Sequence, residues 1–253
     1  MCQNARTNCL IDAFSCTFHG ITPEKIITDI LHLNEISWKH ADYGRYGYLK
    51  SYQFGAIKLL HAAKQENMGA CLELTGQGCK ELVQLTANNS IFYDILKNRV
   101  ATKTNLTRID IAVDDHSGLL DMDTIATKVE RGEIRTRLRS KTELKGLANT
   151  DGHTIYLGSP SSNIRIRIYD KQAQMQTVSP WVRVEMVLRH GDAQRFQMLI
   201  RDTISEDIPN RNQEIALLGV CVLRDKLSFV DPTDATISRC PESPWWTAFL
   251  GGV

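Results

Sequence analysis

The sequence predicts an α+β fold of two pseudo-repeated, strand-rich units, whose antiparallel sheets carry helices on one face and leave the other face polar. Three observations predict it. Runs of strands with helices gathered between them favour helices packed on one face of a sheet. The order of elements recurs, since Gly69-Ala-Cys-Leu-Glu-Leu-Thr-Gly and Trp181-Val-Arg-Val-Glu-Met-Val-Leu-Arg each read as a strand with a central glutamate running into a helix. The strands of the second half also separate at period two into an apolar and a charged side.

Taken in order, alternation from Leu10 to Phe18 predicts a first strand. Thr22-Pro23-Glu24 then predicts a helix start, with a threonine cap before proline at the first helical position. Aromatic, alternating segments around Tyr43 to Leu60 and Ala70 to Leu74 follow, then a helix over Gln77 to Thr86. These form a first unit, residues 1–90, closed by the Asn88-Asn89 joint. The second unit, residues 91–227, is expected to hold a strand at Leu106 to Val113 and a helix at Asp121 to Arg131. Further strands are expected around Thr154 to Tyr156, Ile164 to Tyr169 and Val182 to Leu188, before a helix over Asp192 to Arg201. Residues 228–253, rich in Pro, Ser and Thr with Trp245-Trp246, read as an irregular C-terminal extension.

Composition narrows the class. With 253 residues, 42% hydrophobic and 23% charged, the chain can bury a core as one large domain or two small ones. Met1 to Phe18 lacks a cationic segment before a long apolar run, and the apolar stretch Ile215 to Leu223 is too short to span a bilayer, which argues against export and a membrane partner. Seven cysteines, odd in number and without a Cys-x-x-Cys pair, indicate neither a disulfide framework nor a zinc knuckle, so a reducing cytoplasm is expected. A net charge of +1 argues against wholesale coating of nucleic acid and turns attention to local charge.

Writing three strands by face concentrates that charge. In Arg108-Ile-Asp-Ile-Ala-Val-Asp, Ile109, Ile111 and Val113 oppose Arg108, Asp110 and Asp114. In Arg165-Ile-Arg-Ile-Tyr-Asp-Lys, Ile164, Ile166 and Ile168 oppose Arg165, Arg167, Tyr169 and Lys171. In Val182-Arg-Val-Glu-Met-Val-Leu-Arg, Val182, Val184, Met186 and Leu188 oppose Arg183, Glu185 and Arg189. Compensating charges on one solvated strand need no functional reading. A tyrosine among three cations on a shared face is different, because nearby positive charge favours its phenolate, the form a nucleophile needs. Phosphoryl transfer also calls for cations at the non-bridging oxygens and a divalent ion at the leaving oxygen. Asp110, Asp114 and Glu185 are the candidate ligands, and carboxylates without a His-x-His pair select Mg²⁺ or Mn²⁺. Their structural alternative is pairing with Arg108, Arg183 or Arg189.

The ordered segments Thr107-Arg-Ile-Asp-Ile-Ala-Val-Asp-Asp, Gly152-His-Thr-Ile-Tyr-Leu-Gly-Ser, Arg167-Ile-Tyr-Asp-Lys and Trp181-Val-Arg-Val-Glu resemble the successive motifs of the Rep_trans family. That family comprises replication initiation factors of rolling-circle plasmids and filamentous phages, with related relaxases of mobile elements. The resemblance spans Leu106 to Arg189 and implies a metal-dependent tyrosine nickase that becomes linked to a 5′ phosphate at a replication origin. It puts the nucleophile at Tyr169, makes Asp110 and Glu185 metal or acid-base carboxylates, and makes Lys171, Arg167 and Arg183 phosphate contacts. Glu73 holds the equivalent place in the first unit. Pro160 stands where the family carries a basic residue after Gly-Ser, which puts in doubt a phosphate contact from that turn. The implied partners are single- or double-stranded origin DNA, a host helicase and a host polymerase, and a homodimer is compatible with the reading. The chain has no Gly-x-x-x-x-Gly-Lys-(Ser/Thr) loop, in keeping with chemistry that needs no nucleotide.

DNA contact has candidates of its own. As an extended segment, Arg135, Arg137, Arg139 and Lys141 place four charges on one side, a phosphate-binding stripe or the guarded edge of a sheet. Tyr43, Tyr46, Tyr48 and Tyr52, interleaved with Arg45 and Lys50, are either base-stacking or half-buried. His116 and His153 read as turn or surface residues, and Cys71 and Cys79 as core packing. A non-catalytic origin-binding or repressor protein would carry the same basic face, but would not need a nucleophile among its cations. A conjugative relaxase shares the chemistry and differs in biology.

Overall fold

The structure is a computed structural model that describes residues 7–63, 67–147 and 152–253. In chain order it begins with β1 (Thr7–His19) and α1 (Pro23–Lys25), which continues as a π-helical turn, Ile26–Ile30. Strands β2 (Lys39–Ala41), β3 (Tyr48–Phe54), β4 (Ile57–Ala63) and β5 (Ala70–Leu74) lead into α2 (Gly76–Thr86) and α3 (Ile91–Lys97). The order then restarts with β6 (Lys103–Asp115), α4 (Met122–Arg131) and β7 (Ile134–Thr136). Strands β8 (Lys141–Lys145), β9 (His153–Leu157) and β10 (Ile164–Asp170) precede the short α5 (Lys171–Met175). The chain closes with β11 (Val182–Arg189), α6 (His190–Thr203), α7 (Arg211–Lys226), β12 (Leu227–Phe229) and α8 (Pro244–Gly251).

The chain divides into two compact units, described separately. One comprises Ile11–Asp110 and Leu188–Ile215, the other Met1–Leu10, Ile111–Val187 and Ala216–Val253. In the first, the strand order is β2-β3-β4-β5-β1, with Phe14 opposite Leu74 in the antiparallel β1/β5 pair. The expected cap is present, as Thr22 Oγ1 accepts from the Lys25 amide with Pro23 at the first helical position. Phe14, Phe18, Ile26, Leu59 and Leu72 are fully buried. Helix α3 follows the Asn88-Asn89 joint, in a stretch for which the sequence predicts no element. Five of its seven residues, Ile91, Phe92, Tyr93, Ile95 and Leu96, are buried, and the polar face is only Asp94 and Lys97, too short a pattern to establish a helical period.

The second unit repeats the plan, with order β8-β9-β10-β11 followed by the part of β6 from Ile111 onward. The pseudo-repeat expected from the sequence thus recurs in topology, and Glu73 and Glu185 both sit on the strand that leads into a helix. Helix α7 takes in the apolar run Ile215 to Leu223, whose all-round hydrophobicity hides the helical period. Gly219 lies where a β-carbon would come within 2.5 Å of Ile111 Cγ1, so only glycine allows this approach to β6. Gly219→Ala is expected to destabilise by about 1–3 kcal/mol through overpacking. Denaturant unfolding at an unchanged m-value measures it.

The C-terminal segment is not an irregular extension. β12 pairs with β7, setting Phe229 opposite Ile134, and α8 buries Trp246 and Phe249 completely. Trp246 packs edge-on to Phe229 at 4.9 Å, so the tryptophan anchors the tail in the core. Lys128 Nζ donates to the Val230 carbonyl at 2.7 Å and also reaches Glu133 and Asp231. Among the described residues, no helix is long and apolar enough to cross a membrane.

Candidate active site

Strands β9 and β10 set the site by register. Tyr169 lies opposite Thr154 and Arg167 opposite Tyr156, while Ile166 and Ile168 are fully buried on the other side. The expected alternation is present for Arg165, Arg167 and Tyr169, which share a face, whereas Lys171, expected on the same strand face, is the first residue of α5. β10 ends one residue after Tyr169, at Asp170, which caps α5 by accepting from the Ala173 amide at 2.8 Å. The amides of Lys171 and Gln172 both donate to the Trp181 carbonyl at 2.9 Å, fixing the chain just beyond Tyr169 against the entry to β11.

That face was expected to meet solvent or a ligand, yet much of it is buried: Tyr169 is 4% exposed, Arg183 5% and Glu185 6%. Burial is made tolerable by pairing. The Arg167 guanidinium lies 4.0 Å over the Tyr169 ring while its Nη2 donates to Glu185 Oε2 at 2.7 Å. Burial opposes the charge on Arg167, but the charges of Glu185 and Tyr169, with hydrogen bonds to Glu185 and Tyr156, outweigh this and hold it above its usual range. Arg165 lies 3.9 Å over the ring of Tyr156, and Lys171 Nζ is 5.5 Å from that of Tyr169. The Nε donors of Arg165 and Arg167 are buried without an acceptor among the described residues, a deficit that an anion would satisfy. A cleft of about 530 Å³ opens beside Tyr169, Arg167, Lys145 and His153.

The four carboxylates read as metal ligands are each engaged by an arginine. Asp114 receives Nε and Nη2 of Arg183, both at 2.7 Å, and the Trp181 indole at 2.7 Å. Glu185 holds Arg167, as above. In the other unit, Asp110 takes Arg108 Nε at 2.8 Å, and Glu73 pairs with Arg45. Among the described residues no three His, Cys, Asp or Glu side chains converge to hold an ion. The donor set does not fit a divalent metal in this arrangement, and the structural alternative of ion pairing is what the side chains adopt.

The basic stretch is broken rather than continuous. Arg135 belongs to β7, paired with β12, while Lys141 opens β8, paired with β9. Arg137 and Arg139 lie in the connection between the two strands, both exposed. The tyrosines also divide: Tyr43 and Tyr46 are each 71% exposed, whereas Tyr48 and Tyr52 are buried. The Tyr52 hydroxyl donates to Glu24 at 2.5 Å, and burial together with that carboxylate pushes its pKa up to about 12. His153, read as a turn or surface residue, is 7% exposed with Nε2 2.7 Å from Glu143. Tyr156 and Trp181 were also missed as site residues. The alternation of β9 could have placed Tyr156 beside Arg167, but nothing in the sequence marks the indole of Trp181 as a partner of Asp114.

A family described as replication initiation factor matches residues 104–253, and one described as rolling circle replication initiation protein N-terminal domain matches residues 8–98. The chain is 26% identical over 260 residues to the inferred DNA relaxase NicK of Bacillus subtilis (strain 168), covering 96% of this chain and 71% of that protein. It also resembles the solved rolling circle replication initiator protein of Geobacillus stearothermophilus, with a TM-score of 0.81 and 26% identity over 97% of this chain and 96% of that one.

Proposed function

The chain belongs to the replication initiation factor family, as a nicking initiator of the rolling-circle type, and on that premise we propose that Tyr169 is its nucleophile. The observation that carries this reading is the Arg167 guanidinium stacked on the Tyr169 ring and bonded to Glu185, beside guanidinium donors that lack an acceptor. A scissile phosphate is the anion that would complete the Arg165 and Arg167 donors.

In the proposed step the phenol oxygen of Tyr169 attacks phosphorus and the bond to the 3′ oxygen breaks. The phenol proton is lost and the leaving oxygen ends as a 3′ hydroxyl. Arg165 and Arg167 carry the charge on the non-bridging oxygens, with Lys171 beside them. The phosphodiester becomes a 5′-phosphotyrosine of similar energy, so strands can be rejoined by the reverse displacement without a nucleotide. Mg²⁺ or Mn²⁺ is the ion that carboxylates would select, but Asp110, Asp114, Glu185 and Glu73 are held by arginines. Origin DNA is the substrate in this reading. The free 3′ hydroxyl suits a host polymerase, and strand separation falls to a host helicase. The similarity to a relaxase is compatible with the same chemistry on a mobile element.

The test is incubation with a supercoiled origin plasmid, in Mg²⁺, Mn²⁺ or chelator, followed by denaturing electrophoresis. A covalent protein–DNA adduct with nicked plasmid is expected. A gel shift without adduct under every condition would instead make the chain a non-catalytic origin binder or repressor. Phosphate contacts have a separate signature. Arg139→Ala and Lys141→Ala should each lower the slope of log affinity against log salt by about 0.9 on duplex DNA, with equal losses on unrelated sequences. Titrations at several salt concentrations measure this.

A further inference from the structure

Beside the nucleophile lies an aromatic pair that the nicking step does not use. Trp181 is partly exposed and His116 exposed, with ring centroids 4.8 Å apart. The indole is held rather than loose: its Nε1 donates to Asp114 at 2.7 Å, and buried Asp114 is itself fixed by two 2.7 Å bonds from Arg183. The Trp181 carbonyl takes the amides of Lys171 and Gln172, which follow the nucleophile in sequence. Lys171 Nζ, which donates to Gln174 Oε1 at 2.8 Å, lies 5.9 Å from the Trp181 ring and 5.5 Å from the Tyr169 ring, so a single ammonium is near both platform and nucleophile.

We infer that Trp181, extended by His116, is the stacking platform for an unpaired base next to the phosphate that Tyr169 attacks, with Lys171 at the phosphate between them. A ring locked through both its indole N–H and its backbone loses little freedom when a base lies on it, and aromatic stacking is tolerant of base identity. An ammonium near two rings matches one nucleotide step, with a phosphate at the cation and a base at the aromatic. An ion pair as buried as Asp114–Arg183 gives the ring a fixed plane. The inference rests on the reading of Tyr169 as nucleophile for its location, but not for its measurement.

The test uses the full chain carrying Tyr169→Phe, so that only reversible binding is read. The probes are an oligothymidylate of about 20 nucleotides and an abasic strand with the same phosphates. Trp181→Leu should weaken binding to the oligothymidylate about tenfold and to the abasic strand less than about twofold. Trp181→Phe, which keeps a π-face, should recover most of the loss. His116→Ala removes only an exposed side chain and should show the same base dependence at a smaller size, about twofold; it decides the matter if Trp181→Leu does not fold. Equal losses on both probes, or no loss on either, would overturn the platform and leave Trp181 as an anchor for α5. If base-dependent loss appears while the parent chain forms no adduct with origin DNA, the platform stands and the nicking reading falls.

Discussion

Tyr169→Phe is expected to abolish the covalent protein–DNA adduct, at least about 10³-fold in nicking rate, while non-covalent affinity for single-stranded DNA stays within about twofold. The substitution removes one oxygen and keeps the ring, so the Arg167 stack at 4.0 Å and the Arg167–Glu185 pair at 2.7 Å remain in place. Rate and affinity should therefore part company, with kcat lost and binding retained. Nicking kinetics measured beside fluorescence-anisotropy titrations separate the two. A variant that loses both to the same degree would point to a structural rather than a chemical role for the tyrosine.

The second large effect concerns the framework behind the site. Arg183→Leu leaves the Asp114 carboxylate, 3% exposed, with only the Trp181 indole bond of the three hydrogen bonds described above, and should destabilise by about 3–5 kcal/mol. Removing both charges in Arg183→Leu with Asp114→Asn should recover most of that, since a buried pair returns little net energy once its desolvation is counted. Urea denaturation of the single and double variants provides the cycle. Equal loss in both would mean that the packing of the arginine side chain, and not the stranded charge, dominates.

The parts legible in the sequence were those set by local period. Alternation over Arg165 to Lys171 fixes which residues share a face, because neighbouring side chains on a strand must point to opposite sides, and the structure keeps Arg165, Arg167 and Tyr169 together. Period does not reveal what meets that face. The acids of the same strands looked like a metal set because their arginine partners lie elsewhere in sequence: Arg167 comes from β10 to Glu185 on β11, and Arg183 from β11 to Asp114 on β6. Such pairs depend on strand order, which a single strand does not encode. The run Arg135 to Lys141 failed as one stripe for the same reason, since its ends pair with β12 and β9. Helices α3 and α8 were hidden by being apolar on nearly every side. Trp246, fully buried, could be placed only once β12 had brought Phe229 to it.

The central claim, that Tyr169 forms the bond to DNA, is tested most directly by locating that bond. The adduct is trimmed with nuclease and digested with trypsin, and the nucleotide-bearing peptide is sequenced by mass spectrometry. Cleavage after Arg167 and Lys171 releases Ile168-Tyr-Asp-Lys171, and this peptide should carry a nucleotide 5′-phosphate on its tyrosine. A nucleotide on Tyr156 or on any other residue, with Tyr169 unmodified, would contradict the assignment.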